Sequence, residues 1–503
     1  MSKFIKRTLA LLAVFALLPT SLYGCTGDTE PSSITVGIAT EVASLDPHYA
    51  TTGDTRAVMF NMFEGLVKAG PEGGVVPAVA SGYETSPDGL TYTFTLREGV
   101  TFHNGQPVTE KDVVYSLKRV AGSENGGTAL ISAFSAVDSI EADGNGHVIL
   151  TLNTPGLEFI NSVASASIIP ADSGASITEN PIGTGPFKFI SYLPQSSLVM
   201  EKYDGYWGEN ARLDRVTFRF NMNVNTMVMG LQGGTLDLVT KLPASYLSTV
   251  ENDFTVLSDT MKLVVALYLN NDVEPFNNVL VRQAMYYAID VDELNLFMCN
   301  GYGVPTGTSM YPAQKQYFIP ELAQAYPHSV EKAKDLLAQA GYPGGFDLTV
   351  IAPSDYPQYV QGAEVLAEQL KQIGVNVKVE LTPFTNWTAD VYRNREFEAT
   401  ICAIASNDMS AREMLERYTS DAAKNFINFS NEEFDRVVAQ AKASLDQKEQ
   451  IALYKRAEEI LNEQAASLWL MDMNELVVMN PKLDGYTFYC TYVLDLSTIY
   501  YKK

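Results

Sequence analysis

From residue 33 to the C-terminus, segments with the two-residue apolar period of strands alternate with segments at the 3.6-residue period of helices, which implies mixed α/β lobes. Ile34 to Ile38 reads as a first strand, and Tyr92, Phe94 and Leu96 share one face of another, with threonines on the opposite face. Asp143-Gly-Asn-Gly146 is turn chemistry inside a hairpin over 138–152. Thr109-Glu-Lys-Asp112 is a capping-box signal ahead of Val113, Val114 and Leu117. Val330, Ala333, Leu336, Leu337 and Ala340 line a helix that ends at Gly341. Val360, Ala363, Ala367, Leu370 and Ile373 line another that ends at Gly374, and Val375, Val377 and Val379 then alternate as a strand. Ser430-Asn-Glu-Glu433 caps a helix through Ala443, and 450–464 forms a further helix. About 478 residues follow residue 25, more than one core supports, so two or three lobes are expected.

The N-terminal residues point outside the cytoplasm. Lys3, Lys6 and Arg7 precede an apolar run from Leu9 to Leu18, too short to span a bilayer and suited to a signal peptide. Leu22-Tyr-Gly-Cys25 follows and resembles the lipobox of bacterial lipoproteins, which implies that residues 1–24 are removed and that Cys25 carries acyl chains at the head of a polar tether, 25–33. The formal net charge of −24 argues against nucleic acid, where Lys and Arg neutralise phosphate, and is no help at an anionic lipid surface. Cys299, Cys402 and Cys490 fit no zinc or redox spacing and allow at most one disulfide among themselves.

Catalytic signatures are missing from the sequence. It contains no Gly-x-Ser-x-Gly elbow, no phosphate-binding loop and no His-Glu-x-x-His, and its four histidines lack metal-ligand spacing. Gly183-Thr-Gly185-Pro186 lacks the third glycine of a dinucleotide loop and reads as a tight turn. No metal or cofactor is expected. The 27 Tyr and 23 Phe suit both cores and a cleft that encloses a ligand with apolar area and hydroxyls.

A series of motifs in order along the chain carries a resemblance. Ser44-Leu-Asp-Pro47, Phe63-Glu-Gly-Leu-Val67 and Pro77-Ala-Val-Ala80 come first, then the run from Ser86 to Gly105 and Pro107 to Arg119. Gly183-Thr-Gly-Pro-Phe-Lys188, Tyr203-Asp-Gly-Tyr-Trp207 and Leu231-Gln-Gly-Gly-Thr-Leu-Asp237 follow. Val281 to Asp290, Lys332 to Pro343 and Leu370-Lys-Gln-Ile-Gly-Val375 complete the set. Together they resemble the bacterial extracellular solute-binding proteins of the oligopeptide, dipeptide and nickel-binding type, solute-binding protein family 5. Their local chemistry is structural: Pro87-Asp-Gly89 is a turn, His103-Asn-Gly105 closes the next one, and Arg282 and Asp290 flank a helix of core residues.

The resemblance implies a two-lobed periplasmic-binding-protein-like clamp with an additional small α+β domain. Lobe I would combine 34–60, 182–268 and 477–503, the small domain 61–181, and lobe II 269–476. Function follows as that of a non-enzymatic substrate-binding lipoprotein of an ABC importer. It would be a monomer, anchored by lipid on the outer side of the cell membrane, that gives peptides to permease and ATPase subunits. Alternatives are another solute (nickel complex, opine or sugar), a surface receptor or sensor without import, and an extracellular hydrolase. In peptide-binding relatives an aspartate after a lobe II strand pairs with the ligand's α-amino group. Asn407 falls at that position here, with Asp408 one residue on and Ser406 before it. The loop Thr51 to Thr55 matches one whose backbone lines the cleft, so Thr52, Gly53 and Asp54 are candidate contacts, Asp54 for a cationic group. Trp387 falls near a position where an aromatic stacks on ligand.

Overall fold

The computed structural model describes residues 32–50, 52–220, 222–404 and 410–503. Two long antiparallel strands organise it, Thr255–Leu269 and Leu468–Met479, paired from Thr255 opposite Met479 to Leu267 opposite Leu468. They lie inside an eleven-stranded sheet. On one side follow Leu238–Leu242, Ser33–Gly37, Arg215–Arg219, Ser197–Lys202 and Phe187–Leu193. On the other follow Ala399–Ile404, Asp347–Pro353 and Asn376–Thr382.

Each long strand serves two cores. Val264 to Leu269 and Leu468 to Met473 belong to one hydrophobic cluster with the helices Val279–Ala288, Pro357–Lys371 and Gln447–Glu463. Val477 and Met479 belong to another with Ile34, Val36 and Phe218, while Leu476 and Val478 join a third with Met227 and Leu231. The pairing slips between Thr260 and Val264, and within that slip Lys262 has φ of 59°. A bulge here bends the strands as they pass between cores.

A separate four-stranded antiparallel sheet runs Ala80–Thr85, Thr91–Leu96, His147–Leu152, Val137–Ala142. Tyr92 and Phe94 face inward against Val113 and Leu117 of the helix Glu110–Val120, forming a cluster of their own. The expected hairpin and capping box are both present: Thr109 donates its backbone N–H to the Asp112 carboxylate at 2.9 Å. The helices ending near Gly341 and Gly374 form, with φ of 95° and 85° at those glycines, conformations that glycine adopts without a Cβ clash.

Three expectations shift. The cap of Glu432–Ala443 is Asn431, whose side chain accepts from Phe434 N at 2.9 Å, whereas the Ser430 hydroxyl turns to Ser420. On Pro357–Lys371, Leu366 is buried and Ala367 half-buried, because Leu is the larger apolar group and the helix rotates it inward. Arg282 lies inside its helix rather than beside it, and Asp290 caps the next one, Val291–Cys299, accepting from Glu293 N at 3.0 Å. The Arg282 guanidinium donates to the carbonyls of Gln464, Ala465 and Phe276, covering the C-terminal end of Gln447–Glu463. Burial lowers its pKa to about 10.

The sequence motifs meet one another in space. Glu64 is buried and accepts from Trp207 Nε1 (2.7 Å), the Tyr206 hydroxyl (2.8 Å) and Lys68 Nζ (2.9 Å). Arg119 grips the Asp46 carboxylate at 3.0 and 2.6 Å. His103 accepts from Gly183 N through Nδ1 and donates from Nε2 to the Gly185 carbonyl at 3.1 Å. A Cβ on Gly183 would stand 2.1 Å from the Met62 carbonyl oxygen, so the position admits only glycine.

Two outcomes follow for stability. Gly183→Ala is expected to lower the urea midpoint by an amount equivalent to roughly 1–3 kcal/mol. Burial pushes the His103 imidazole from 6.5 down to about 4. Above pH 6.5 the folded and unfolded forms are both neutral there; as pH falls toward 4 the unfolded chain takes a proton that the folded one refuses, so stability is lost across that window. Urea midpoints measured against pH should show that loss in the wild type and a smaller one in His103→Gln.

Candidate functional site

Strand direction places the site. Ser33–Gly37, Arg215–Arg219 and Leu238–Leu242 are mutually parallel in direction and run the same way as Thr255–Leu269, toward the core that holds Val264 to Leu269. Ala399–Ile404 is antiparallel to Thr255–Leu269, and Asp347–Pro353 and Asn376–Thr382 run with it, back toward the core of Ile34, Val477 and Met479. The carboxyl ends of the two parallel sets therefore face each other across the crossing. Ligands of open α/β sheets bind outside such ends.

A cavity of about 640 Å³ lies beside the crossing, with much of its wall formed by the small four-stranded sheet and the segment 157–167. Its walls come from residues around the helix Gly53–Met59, the hairpin tip at 70–74, the loop 313–317, the start of Ala411–Glu416, and Cys490 to Val493. Charged groups in the wall already have partners. Lys315 Nζ meets Glu72 at 3.0 Å, joining the hairpin tip to the opposite loop, and Glu158 accepts from the Tyr454 hydroxyl at 3.1 Å. Side-chain amides of Gln314, Gln316, Gln447 and Asn161 supply uncharged donors and acceptors. A second cavity of about 50 Å³ shares Thr491, Tyr492 and Val493 with the first and reaches back to the crossing strands.

The candidate residues fall as follows. Thr52 caps Gly53–Met59, its hydroxyl accepting from Thr55 N at 3.3 Å. Gly53 packs under Tyr492, whose ring would stand 3.0 Å from an added Cβ. Asp54 lines the smaller cavity, but its carboxylate is held by Lys241 at 2.5 Å and by the Thr40 hydroxyl. Burial works against the Lys241 charge and Asp54 more than offsets it, so the lysine pKa is raised. Trp387 is buried in the second core and lines neither cavity. Its Nε1 donates to the Thr400 hydroxyl at 2.8 Å, and its ring stacks on Phe384 at 5.6 Å. Cys25, Ser406, Asn407 and Asp408 lie outside the described residues. The remaining cysteines are free thiols, Cys299 and Cys402 buried and Cys490 half-buried in the cleft wall.

Sequence reasoning passed over Lys241, Lys262, Glu475 and Tyr492, which line the smaller cavity, and the pair Glu72–Lys315. One signal was available: Asp472 and Glu475 are acids inside the otherwise apolar strand Leu468–Met479. Among the described residues, no helix is long and apolar enough to cross a membrane, and no cluster of His, Cys, Asp and Glu is fit to hold a metal ion.

Residues 74–426 match the family model described as bacterial extracellular solute-binding proteins, family 5 Middle. The glutathione-binding protein GsiB of Pectobacterium atrosepticum is 27% identical over 469 residues, 90% of each chain. Heme-binding protein A of Haemophilus influenzae is 29% identical, covering 82% of this chain and 81% of that one. The periplasmic binding protein DppA of Helicobacter pylori, solved with the peptide STSA, shares 26% identity and a TM-score of 0.71 over 94% of this chain and 98% of its own. With the matched segment covering well over half of its length, the chain belongs to family 5 of the bacterial extracellular solute-binding proteins.

Proposed function

We propose that this chain is the substrate-binding component of an ABC importer that encloses peptides in the cleft between its two large lobes. Family 5 proteins are binding proteins, and the chain is not an enzyme. The observation that carries the peptide reading is a cavity of about 640 Å³ bounded by residues 47–63 and Cys490 to Val493, by the small domain, and by the loop 313–317 with Gln447 and Gln450, within the range of roughly 300–1,000 Å³ common for small-molecule sites. Its neutral side-chain amides suit a ligand rich in backbone N–H and C=O groups, where main-chain hydrogen bonds give affinity and side chains are tolerated. The peptide bound by the DppA relative and the glutathione named for GsiB point to the same ligand class.

In this reading lobe I is 34–60, 182–268 and 477–503, lobe II is 269–476, and 61–181 is the small domain; the hydrophobic clusters follow this division except at its edges, where Val264 to Tyr268 pack with lobe II and Met62, Phe63, Ile169 and Ile177 with lobe I. Thr52 and Gly53 offer backbone to the ligand. Ser406, Asn407 and Asp408 stay as proposed contacts because they follow Ala399–Ile404, whose end faces the cleft. Trp387 supports the Phe384 ring rather than meeting ligand itself. Cys25 anchors the protein through lipid on the outer side of the membrane, on the strength of the residues before it. The lobes close on the ligand by population shift, since only contacts made in the closed form favour it.

Mass spectrometry of material released from the purified protein by denaturation is expected to show short peptides. Recovery of an opine, a sugar or a nickel complex in their place would overturn the peptide reading and leave the binding role. Thermal shifts should rise with peptide concentration as RT ln(1 + [L]/Kd).

The Glu72–Lys315 pair spans the cleft between hairpin and loop with both side chains largely exposed. Exposed pairs contribute little, so Glu72→Gln or Lys315→Gln should speed peptide release by no more than about fivefold. The charge-swapped double variant should recover most of that, and added salt should shrink the difference. Stopped-flow release kinetics would read all three.

A further inference from the structure

The smaller cavity, about 50 Å³, holds a charge pattern that stability alone does not explain. On the crossing strands Asp259 stands directly opposite Glu475, and like charges in that position destabilise a strand pair. Two lysines answer the acids nearby. Lys241 meets Asp54 at 2.5 Å and Lys262 meets Asp259 at 3.1 Å. Both lysines hold left-handed backbone, φ of 58° and 59°, a conformation uncommon outside glycine that tends to gather at functional sites. After these pairings Asp472 and Glu475 are left without a lysine, and of the two only Glu475 lines the cavity. Glu475 lines the cavity, feels both lysines at a distance, and makes no hydrogen bond or ion pair among the described residues. Burial raises its pKa against the pull of Lys241 and Lys262, so its charged form lacks the local compensation that Asp54 and Asp259 have. Around it stand Tyr486, Phe488, Tyr489 and Tyr492; ring faces favour a cation, and Lys241 and Lys262 already stand 6.0 and 5.9 Å from the centroids of Tyr492 and Phe488.

We propose that Glu475 accepts a primary ammonium group of the bound solute, in a subsite formed with Tyr486 and Tyr492 where the strands cross between the lobes. The volume admits a group of one or two water molecules' size, which fits an ammonium and its first carbon. Entry is from the main cleft past Thr491 to Val493, the wall that the two cavities share. Asp54 is then a partner of Lys241 that keeps this lysine from neutralising Glu475. This inference rests on peptide capture, and the ammonium is either a free N-terminus or a lysine side chain.

The test is isothermal titration of the wild type and Glu475→Gln with random tetrapeptide pools that exclude lysine and arginine, with free or acetylated N-termini, and with an acetylated pool carrying one lysine. Wild type is expected to bind the free-amine pool about tenfold or more tightly than the acetylated pool, as a charge-assisted hydrogen bond allows, and Glu475→Gln to bind the two alike. If the lysine pool alone regains the tight binding, the ammonium is the side chain's. The unliganded variant should melt no lower than wild type, because the opposition to Asp259 is gone, so loss of discrimination would not come from unfolding. Equal binding of all three pools by wild type, or a preference that survives in Glu475→Gln, would overturn the subsite and leave peptide capture standing. Failure of wild type to bind any pool would remove both.

Discussion

The large sheet is arranged around one strand pair. Thr255–Leu269 and Leu468–Met479 run from one hydrophobic core into another, and the direction of every other strand in the large sheet is set relative to them. Because the parallel strands on the two sides point at one another, their carboxyl ends, with the loops that follow, face a common space. The site is therefore a consequence of topology before any particular side chain is considered. The register slip between Thr260 and Val264 falls where the strands leave one core for the other, so bending there disturbs neither set of packed side chains.

The same stretch breaks the rules that a strand pair built for stability would follow. Asp472 is fully buried, with one carboxylate oxygen accepting from Leu263 N at 3.0 Å, and burial pushes its pKa up to about 7. Glu475 opposes Asp259, and Lys262 adopts a backbone that a β-branched residue would resist. Apolar residues fill the strands on either side: Leu267, Leu468 and Leu470 toward one core, Leu476, Val477 and Val478 toward the others. Polar groups are thus confined to the few residues between cores, where the cavities lie.

Much of the scaffold was legible in the sequence because it depends on near neighbours. The hairpin turn at Asp143 to Gly146, the cap at Thr109 and the helix ends at Gly341 and Gly374 are each decided within a few residues. The family motifs were also visible, though their purpose became clear only in space: Glu64 binds Trp207, and His103 binds the Gly183 to Gly185 turn, so they tie segments of the scaffold together. The binding wall was largely hidden. Asp54 and Lys241 are 187 residues apart, and Glu72 and Lys315 are 243 apart. No period or spacing reports such pairs. Trp387 is likewise placed only by the fold, buried with its Nε1 on Thr400 and its ring stacked on Phe384.

The division between motif and wall has a physical basis. A buried tie such as Asp46–Arg119 must satisfy every donor and acceptor, which narrows the residues that can stand there. A cleft wall is wet when empty, and its polar groups are satisfied by solvent until a ligand displaces it. Such a wall can change residue by residue without unfolding the lobes, and specificity then depends on what the ligand must leave unpaired. With Lys315 set against Glu72, Lys241 against Asp54 and Glu158 against Tyr454, a cargo bearing fixed charge along its length would meet side chains already engaged. A neutral, hydrogen-bonding ligand loses least on entry to such a wall.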